Sequence, residues 1–386
     1  MRKSYLLYIL HMCLVLVACA GNPQPEPRPE IEAYEVGQSL LNTASTPPPE
    51  FALLDIGVQI FSNAYVPYAD PGNNEWVFDE IRDNETQYLP YALRNTLTAS
   101  NHWGAVRVLP GPDPSMHLMI TGELLHSDGS ELVLAIHAQD STGRVWLNET
   151  YRDRAEQADF PESTRYTPGN RFDPGTYTEP FQDIYNQINN DLVAARDTLG
   201  FNELERIGNV AMLVYANELS PDSFGHMLVE NADGLLDAAF LPSVDDPMLK
   251  RAMDMQLRHH LFIDTVDEYY EALFEDMRVA YLVWRRYSHD QLTEESSLID
   301  RTTGGRQVAG NGFLALSQRY DRFKWSKIYE QEFTLLATGF NNEVAPAILE
   351  TNRQVHGLSG TMEEQYGQWR LILKSLFELE SALPDL

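Results

Sequence analysis

The chain has very little cysteine, few basic residues and almost no long apolar stretch. Its 386 residues include only two cysteines, Cys13 and Cys19, so no thiol occurs beyond residue 19. That absence excludes a disulfide, a thiolate zinc site and a cysteine nucleophile from the main body of the protein.

Basic residues are outnumbered two to one, since 28 lysines and arginines face 57 aspartates and glutamates, for a net charge of −29. A field of that sign repels phosphate backbones and anionic lipid headgroups, so we expect no nucleic-acid binding. The charge suits a cationic partner, although acidic surfaces also serve solubility alone. A hydrophobic content of 43% is typical of a globular chain that buries a core.

The one apolar run near the amino terminus extends from Tyr5 to Val17 and follows Arg2 and Lys3. It is too short to cross a hydrocarbon core of about 30 Å, which needs about 20 residues. Basic residues, a short apolar core and small residues at the cut are the features of a secretory signal peptide. The sequence therefore predicts a signal peptide over residues 1–18.

The residues at the predicted cut are Leu16-Val17-Ala18-Cys19. This stretch resembles the lipobox of bacterial lipoproteins, and the resemblance implies that Cys19 becomes the first mature residue and carries lipid on its sulfur and its amine. Ala20, in place of aspartate, is similar to the outer-membrane sorting pattern of Gram-negative bacteria. It implies a lipid-anchored protein of the outer membrane that faces the periplasm. An ordinary signal peptide and a membrane anchor are the alternatives.

Prolines and glycines divide the rest of the chain. The prolines within residues 20–30 and 47–49 predict a semi-rigid tether over residues 20–49. A short helix is predicted within it, over 31–44, and the tether spans at most about 100 Å. Another group, among residues 152–180, predicts a linker. The predicted segments are the signal peptide (1–18), the lipidated cysteine and tether (19–49), an α+β domain (50–151), the linker (152–180) and a helical domain (181–386).

The pattern within residues 50–151 predicts one mixed sheet with helix cover. Strands are predicted over Phe51–Phe61 and Trp103–Leu109, and two hairpins follow, each with glycine in its four-residue turn. A helix is predicted around Tyr88–Leu97, with Pro90 in its first turn because proline lacks a backbone donor.

Three stretches of this domain, FALLDIGVQIF, LPYALRNTL and ITGELLHSDGSELVLAIHAQDSTGRVW, carry a resemblance to known proteins. They resemble the small α/β domain of envelope lipoproteins, including the amino-terminal domain of the TolB type, the penicillin-binding-protein activators and the curli-pore lipoproteins. The resemblance covers about a quarter of the chain and implies a fold. It does not assign a function.

Helical spacing dominates the chain from Phe181 onward, which predicts an all-α bundle after the α+β domain. Asp246-Pro247 is a typical helix start, and the pattern continues to about Tyr287, which predicts a helix of roughly 60 Å. A further helix is predicted through Leu228 and Leu235. Thr361 and Glu364 form a predicted capping box for a last helix.

Few residues in the sequence suggest catalysis or metal binding. His260 and Asp264 are four residues apart, with His259 and Glu268 nearby, and that spacing places two metal ligands on one helix face. No third ligand follows at a recognised zinc-site spacing, so we expect no metal and no other cofactor. His117, His126 and His137 lie in the predicted hairpins, where a cross-strand polar pair is the simpler interpretation.

Aromatic residues are frequent in the helical half, where they indicate either an ordinary core or a ligand groove. They are Tyr269, Tyr270, Tyr281, Trp284, Tyr287, Tyr320, Phe323, Trp325 and Tyr329. Three functional hypotheses follow. The first is a non-enzymatic scaffold that binds another envelope component. The second is a ligand-binding protein with a pocket lined by Trp284 or Trp325, and the third is a metal-dependent hydrolase built on His260 and Asp264.

Overall fold

The computed structural model describes the following residues: 31–65, 79–160, 179–243, 245–303, 348–351 and 354–382. The predicted signal peptide, Cys19 and the segment that contains Trp325 lie outside the described residues. From Glu32 onward, the described residues belong to one compact unit.

Strands and helices alternate along the first part of the described chain, and helices predominate later. The strands are β1 (Tyr34–Glu35), β2 (Ile56–Gln59), β3 (Ser62–Asn63), β4 (Val106–Leu109), β5 (Leu118–Ser127), β6 (Glu131–Asp140), β7 (Val145–Arg154), β8 (Leu228–Glu230), β9 (Leu236–Ala238), β10 (Ile348–Thr351) and β11 (Gln354–Gly357). The helices are α1 (Asp79–Ala99), α2 (Gln182–Asp197), α3 (Phe201–Leu219), α4 (Pro221–Phe224), α5 (Pro247–Thr303) and α6 (Met362–Ala382).

The main sheet has the strand order β1-β7-β6-β5-β2-β4, with β3 paired to the far end of β5. Strands β5, β6 and β7 are antiparallel neighbours joined by the two predicted hairpin turns. Strand β2 is parallel to both β4 and β5, and β1 is parallel to β7. A mixed sheet with helices confirms the predicted α+β class.

One face of this sheet is apolar and packs against helices. Ile120 on β5 and Leu134 on β6 are fully buried in the same cluster as Leu93 of α1 and Ile188 of α2. The alternate residues of the strands, such as Thr121 opposite His137, lie on the other face. The alternation of buried and exposed positions is the period-two pattern that the sequence predicted for these strands.

Helix α5 is the longest element, and its 57 residues span about 85 Å. Asp246 caps it as predicted, because its Oδ1 accepts hydrogen bonds from the backbone N–H groups of Met248 and Leu249 at 2.8 and 3.1 Å. Its rings pack on two other helices. Phe262 lies 5.4 Å from Trp369 of α6, and Tyr281 lies 4.2 Å from Tyr88 of α1, measured between ring centroids.

A buried ion pair fixes α5 against the β5–β6 turn. Arg285 is completely buried and donates to the carboxylate of Glu85, to the Ser127 hydroxyl and to the Asp128 carbonyl. Its Nε also donates to the hydroxyl of Tyr281 at 2.9 Å. These partners satisfy the guanidinium, which would otherwise be very costly to bury.

Strand β4 is the last strand at one end of the main sheet, and α5 covers its outer edge. The backbone N–H of Val108 donates to Oδ1 of Asp267 at 2.7 Å, and Arg94 of α1 donates to the other oxygen at 2.6 Å. The Asp267 carboxylate therefore accepts the backbone hydrogen bond that a further strand would otherwise accept at this edge.

The predicted short helix over 31–44 is wrong. The segment is extended and lies along α2, where side-chain amides hold its backbone. Asn186 donates to the Ser39 carbonyl and Asn190 donates to the Leu40 carbonyl, both at 2.8 Å. These bonds come from residues roughly 150 positions away, so no local pattern reveals them.

Pro90 was predicted in the first turn of its helix, and that placement is also wrong. Helix α1 begins at Asp79, so Pro90 lies in its interior. Proline leaves the carbonyl four residues earlier without its helical partner. That carbonyl, of Thr86, instead accepts the backbone N–H of Phe61 at 2.9 Å.

The carboxy-terminal half is not helical throughout. Leu228–Glu230 and Leu236–Ala238 pair as a hairpin where a helix was predicted, and β10 pairs with β11. Residues on both sides of the predicted linker also enter one apolar cluster, which differs from the two separate cores expected from the sequence. The cause is that α2 packs on β7 and α5 packs on α1 and β4.

Candidate functional site

The predicted ligand pair His260 and Asp264 does not converge. Nε2 of His260 lies 3.3 Å from Oγ of Ser115, whereas Asp264 accepts a hydrogen bond from Nε of Arg107 at 2.5 Å. Burial lowers the pKa of His260, and the nearby Arg107 charge lowers it further. Across the described ranges, no group of three or more His, Cys, Asp or Glu residues is arranged to hold a metal ion.

The neighbouring His259, in contrast, belongs to a buried polar cluster. Its Nε2 lies 2.6 Å from Oδ2 of Asp113, and the hydroxyl of Tyr366 donates to the same oxygen. The other oxygen, Oδ1, accepts the backbone N–H and the hydroxyl of Ser115 at 2.8 and 2.6 Å. Helices α5 and α6 and the β4–β5 loop thus meet at one carboxylate.

Electrostatics fix the protonation of this cluster. Burial alone would raise the pKa of Asp113, but the attraction of His259 and the hydrogen bonds outweigh it and hold that pKa well below its usual range. Because an ionised carboxylate only accepts hydrogen bonds, Nε2 of His259 must carry its hydrogen. Burial and the Asp113 charge raise the pKa of Tyr366, which keeps its hydroxyl a donor.

The other ring nitrogen of His259 has no hydrogen-bond partner in the part of the chain that the structure describes, although the atom is buried. The imidazole stacks on Tyr215 of α3, with ring centroids 5.8 Å apart and planes inclined by 20°. The Tyr215 hydroxyl is likewise buried without a partner among the described residues. Each of these two stacked rings therefore carries a buried polar atom that has no partner among the described residues.

These two rings border a cleft of about 280 Å³ between α3, α5 and α6. Its lining combines charged and apolar side chains: Tyr215, Glu218, Leu219, His259, Gly367, Arg370, Leu371, Leu373 and Lys374. Arg370 of α6 donates to the Glu218 carboxylate of α3. Burial lowers the pKa of Arg370, but the Glu218 charge outweighs this and raises it.

Local sequence signals explain how the elements reach this position. The capping box at the start of α6 is confirmed, since Thr361 N–H donates to Glu364 Oε2 at 2.9 Å and Glu364 N–H donates to Thr361 Oγ1 at 3.3 Å. Asp113 lies in the Pro-Asp-Pro-Ser loop and forms a side-chain turn with Ser115, which is typical of Asp in loops. No local sequence pattern distinguishes Asp113, Tyr215 or Tyr366 as site residues.

A second candidate surface is the solvent face of α5. Met253, Leu257 and Leu261 follow at four-residue steps and are 51, 60 and 62% exposed, so they form an apolar stripe on three successive turns. Farther along the same helix the exposed positions include five acidic residues: Asp264, Glu268, Glu271, Glu275 and Asp276. We call this combined surface the outer face of α5.

Other residues named from the sequence have structural roles. Trp284 is 2% exposed in the main core and does not line the cleft. His117 accepts the Asp55 backbone N–H at its Nδ1, 2.9 Å away, and burial lowers its pKa. His126 lies 3.0 Å from Asp128, and His137 faces Asn148 across the strands at 3.3 Å.

No family model matches the chain, and no curated protein matches it significantly. Among the helices that the structure describes, none is both long and apolar enough to cross a membrane. The function must therefore be argued from the two surfaces themselves.

Proposed function

We propose that this chain is a lipid-anchored protein of the bacterial outer membrane that acts as a non-enzymatic scaffold. The lipobox residues Leu16-Val17-Ala18-Cys19 support the anchor. The outer face of α5 carries the scaffold proposal, because it exposes three large apolar residues in a row on a long helix that is fixed to the sheet. Exposed apolar patches of this kind mark interaction surfaces.

The charges beside the stripe define the partner. Glu268, Glu271, Glu275 and Asp276 form no ion pair with any other residue that the structure describes, and they continue the face beyond Leu261. An amphipathic helix or strand with apolar residues followed by lysines or arginines would match both parts of this face. The partner is therefore a basic segment of another envelope protein.

The polar cluster gives less support to catalysis. Asp113 orients His259 as in a general-base pair, but the hydroxyls of Ser115 and Tyr366 both donate to Asp113. A base needs a proton donor within hydrogen-bond reach of its free nitrogen. No described side chain supplies one at Nδ1 of His259.

The anchor would hold this scaffold near the bilayer. The chain is held along α2 at Ser39 and pairs with the sheet at Tyr34, so only the residues between Cys19 and Glu32 can separate the proposed anchor from the sheet. About 13 residues at roughly 3.3 Å each reach at most about 43 Å, less than half the length predicted from the prolines. The partner would then lie in or near the same membrane.

The direct test replaces the apolar stripe. We expect the double variant Leu257→Asp, Leu261→Asp to stay folded but to lose co-purification of its basic partner from solubilised envelopes by about tenfold or more. Leu40→Asp, at a leucine that is 91% exposed on the segment along α2, is the matched control. Equal loss in both variants, or no loss in the double variant, would contradict the proposal.

A further inference from the structure

We infer that the cleft between α3, α5 and α6 binds a small α-hydroxy or α-amino carboxylate with an apolar side chain. This site is separate from the outer face of α5 and does not depend on the scaffold proposal. Its three parts are an unsatisfied polar floor, a basic rim and an apolar wall, and each part selects one group of the ligand.

The floor requires a hydrogen-bonding group. Nδ1 of His259 and the hydroxyl of Tyr215 are both buried and lack partners among the described residues. An unpaired polar atom is costly to bury, so each of these two atoms, placed at the border of a cleft, is a position where a ligand group gains a hydrogen bond. Nε2 of His259 is engaged by Asp113, so Nδ1 is the ring nitrogen left to pair with a polar group of the ligand, and an α-hydroxyl can both donate and accept such a bond.

The rim selects a carboxylate. Lys374 is half-buried at the cleft and forms no ion pair with any other described residue. Arg370 lies beside it and donates to Glu218 and, at 3.3 Å, to the Pro112 carbonyl. In a chain with a net charge of −29, a half-buried lysine left without a counter-ion favours an anionic group at that position.

The wall and the volume limit the remainder of the ligand. Leu219, Leu371 and Leu373 line the cleft, and Leu371 is 68% exposed there. A volume of about 280 Å³ lies just below the range of about 300–1,000 Å³ of sites for drug-sized molecules. A ligand the size of leucine, with its branched side chain on these residues, satisfies all three parts.

Titration calorimetry of the whole mature protein with four related probes separates the contribution of the floor to binding from that of the rim. We expect 2-hydroxy-4-methylpentanoate and leucine to bind. We expect 4-methylpentanoate, which lacks the α-hydroxyl that pairs with His259, to bind at least about tenfold more weakly. We expect leucinamide, which lacks the carboxylate, to give no heat. Equal affinity for the first and third probes would overturn the assignment of the floor, as would an absence of binding by all four up to about 10 mM.

Three variants test the residues. Lys374→Gln should lose about tenfold in affinity for 2-hydroxy-4-methylpentanoate, while Lys250→Gln, at an exposed lysine on α5, should lose none. Tyr215→Phe removes one unpaired hydroxyl, so we expect a folded protein of equal or greater stability with weaker binding. Unchanged affinity in Lys374→Gln, or the same loss in Lys250→Gln, would contradict the site. The outer-face variants should bind the probes normally.

Discussion

At the scale of single residues, one carboxyl makes the stability of the fold depend on pH. Burial raises the pKa of Asp153 to about 7; a hydrogen bond from the Arg154 N–H opposes this, and the charges of Asp183, Asp159 and Glu156 add to it. A folded-state pKa above the unfolded value means that the protonated form stabilises the fold. That stability is complete below about pH 4 and is lost as the pH rises through about 7.

Asp153→Asn removes this titration. We expect its melting temperature to exceed that of the wild-type protein by about 2–4 °C at pH 8, where the buried carboxylate would be charged, and to match it at pH 4.5. The expected gain is only about 1 kcal/mol, because the hydrogen bond from the Arg154 N–H stabilises the charged carboxylate and offsets part of the burial cost. Thermal unfolding at both pH values is the measurement, with Asp276→Asn on the exposed side of α5 as the control. A difference that is equal at the two pH values would contradict the assignment.

At the scale of secondary-structure elements, the contact between the β5–β6 turn and α5 allows a clean test. A Cβ added to Gly129 would collide with the carbonyl carbon of Ser288 and the backbone nitrogen of His289, and neither atom belongs to a side chain that could move aside. Gly111 is also in a loop, but a Cβ there meets nothing within 4 Å.

We therefore expect Gly129→Ala to destabilise the protein by about 2–4 kcal/mol, since the turn must move away from α5 and loosen the partners of Arg285. Gly111→Ala should change stability by less than about 0.5 kcal/mol. Urea unfolding followed by circular dichroism measures both. If the two variants are equally stable, the turn does not pack on α5 in this way.

Elements with local signals could be predicted from the sequence, and those held by distant partners could not. The β5–β7 hairpins, the Asp246 cap and the Thr361 capping box each follow from residues a few positions apart. Pro90 is tolerated inside α1 only because Phe61 takes up the freed carbonyl. Such a contact is invisible to a pattern confined to one helix.

The candidate site was missed for the same reason. The sequence singled out His260, but the helix turns His259, its neighbour, into the core. Asp113 is 146 residues from His259 and 253 residues from Tyr366 along the chain. The side chains of adjacent histidines point to different sides of a helix. Which of the two faces the core is known only once the packing of α5 on α6 is known.

At the scale of the whole molecule, the shared core determines whether the carboxy-terminal half can fold on its own. The sequence favours independent folding of residues 181–386, whereas the structure buries Ile188 of α2 and Phe274 of α5 in the same cluster as Leu93 and Ile120. We expect residues 181–386 alone to give no cooperative thermal transition, because they would expose this apolar surface. Calorimetry on the isolated half decides the point. A sharp transition with native-like enthalpy per residue would show that the half holds its own core.

The whole-molecule proposal is that a lipid anchor on Cys19 holds the outer face of α5 near a basic envelope partner. The most direct measurement places a photo-activated benzophenone amino acid at Leu257 in intact cells, with Leu40 as the control position. We predict one major adduct at Leu257 whose cross-linked peptide is apolar and basic. The adduct should be lost when Glu268 and Glu271 are replaced by lysine and weakened in Cys19→Ser. The same adducts from Leu40, or an adduct that survives the lysine substitutions, would contradict the proposal.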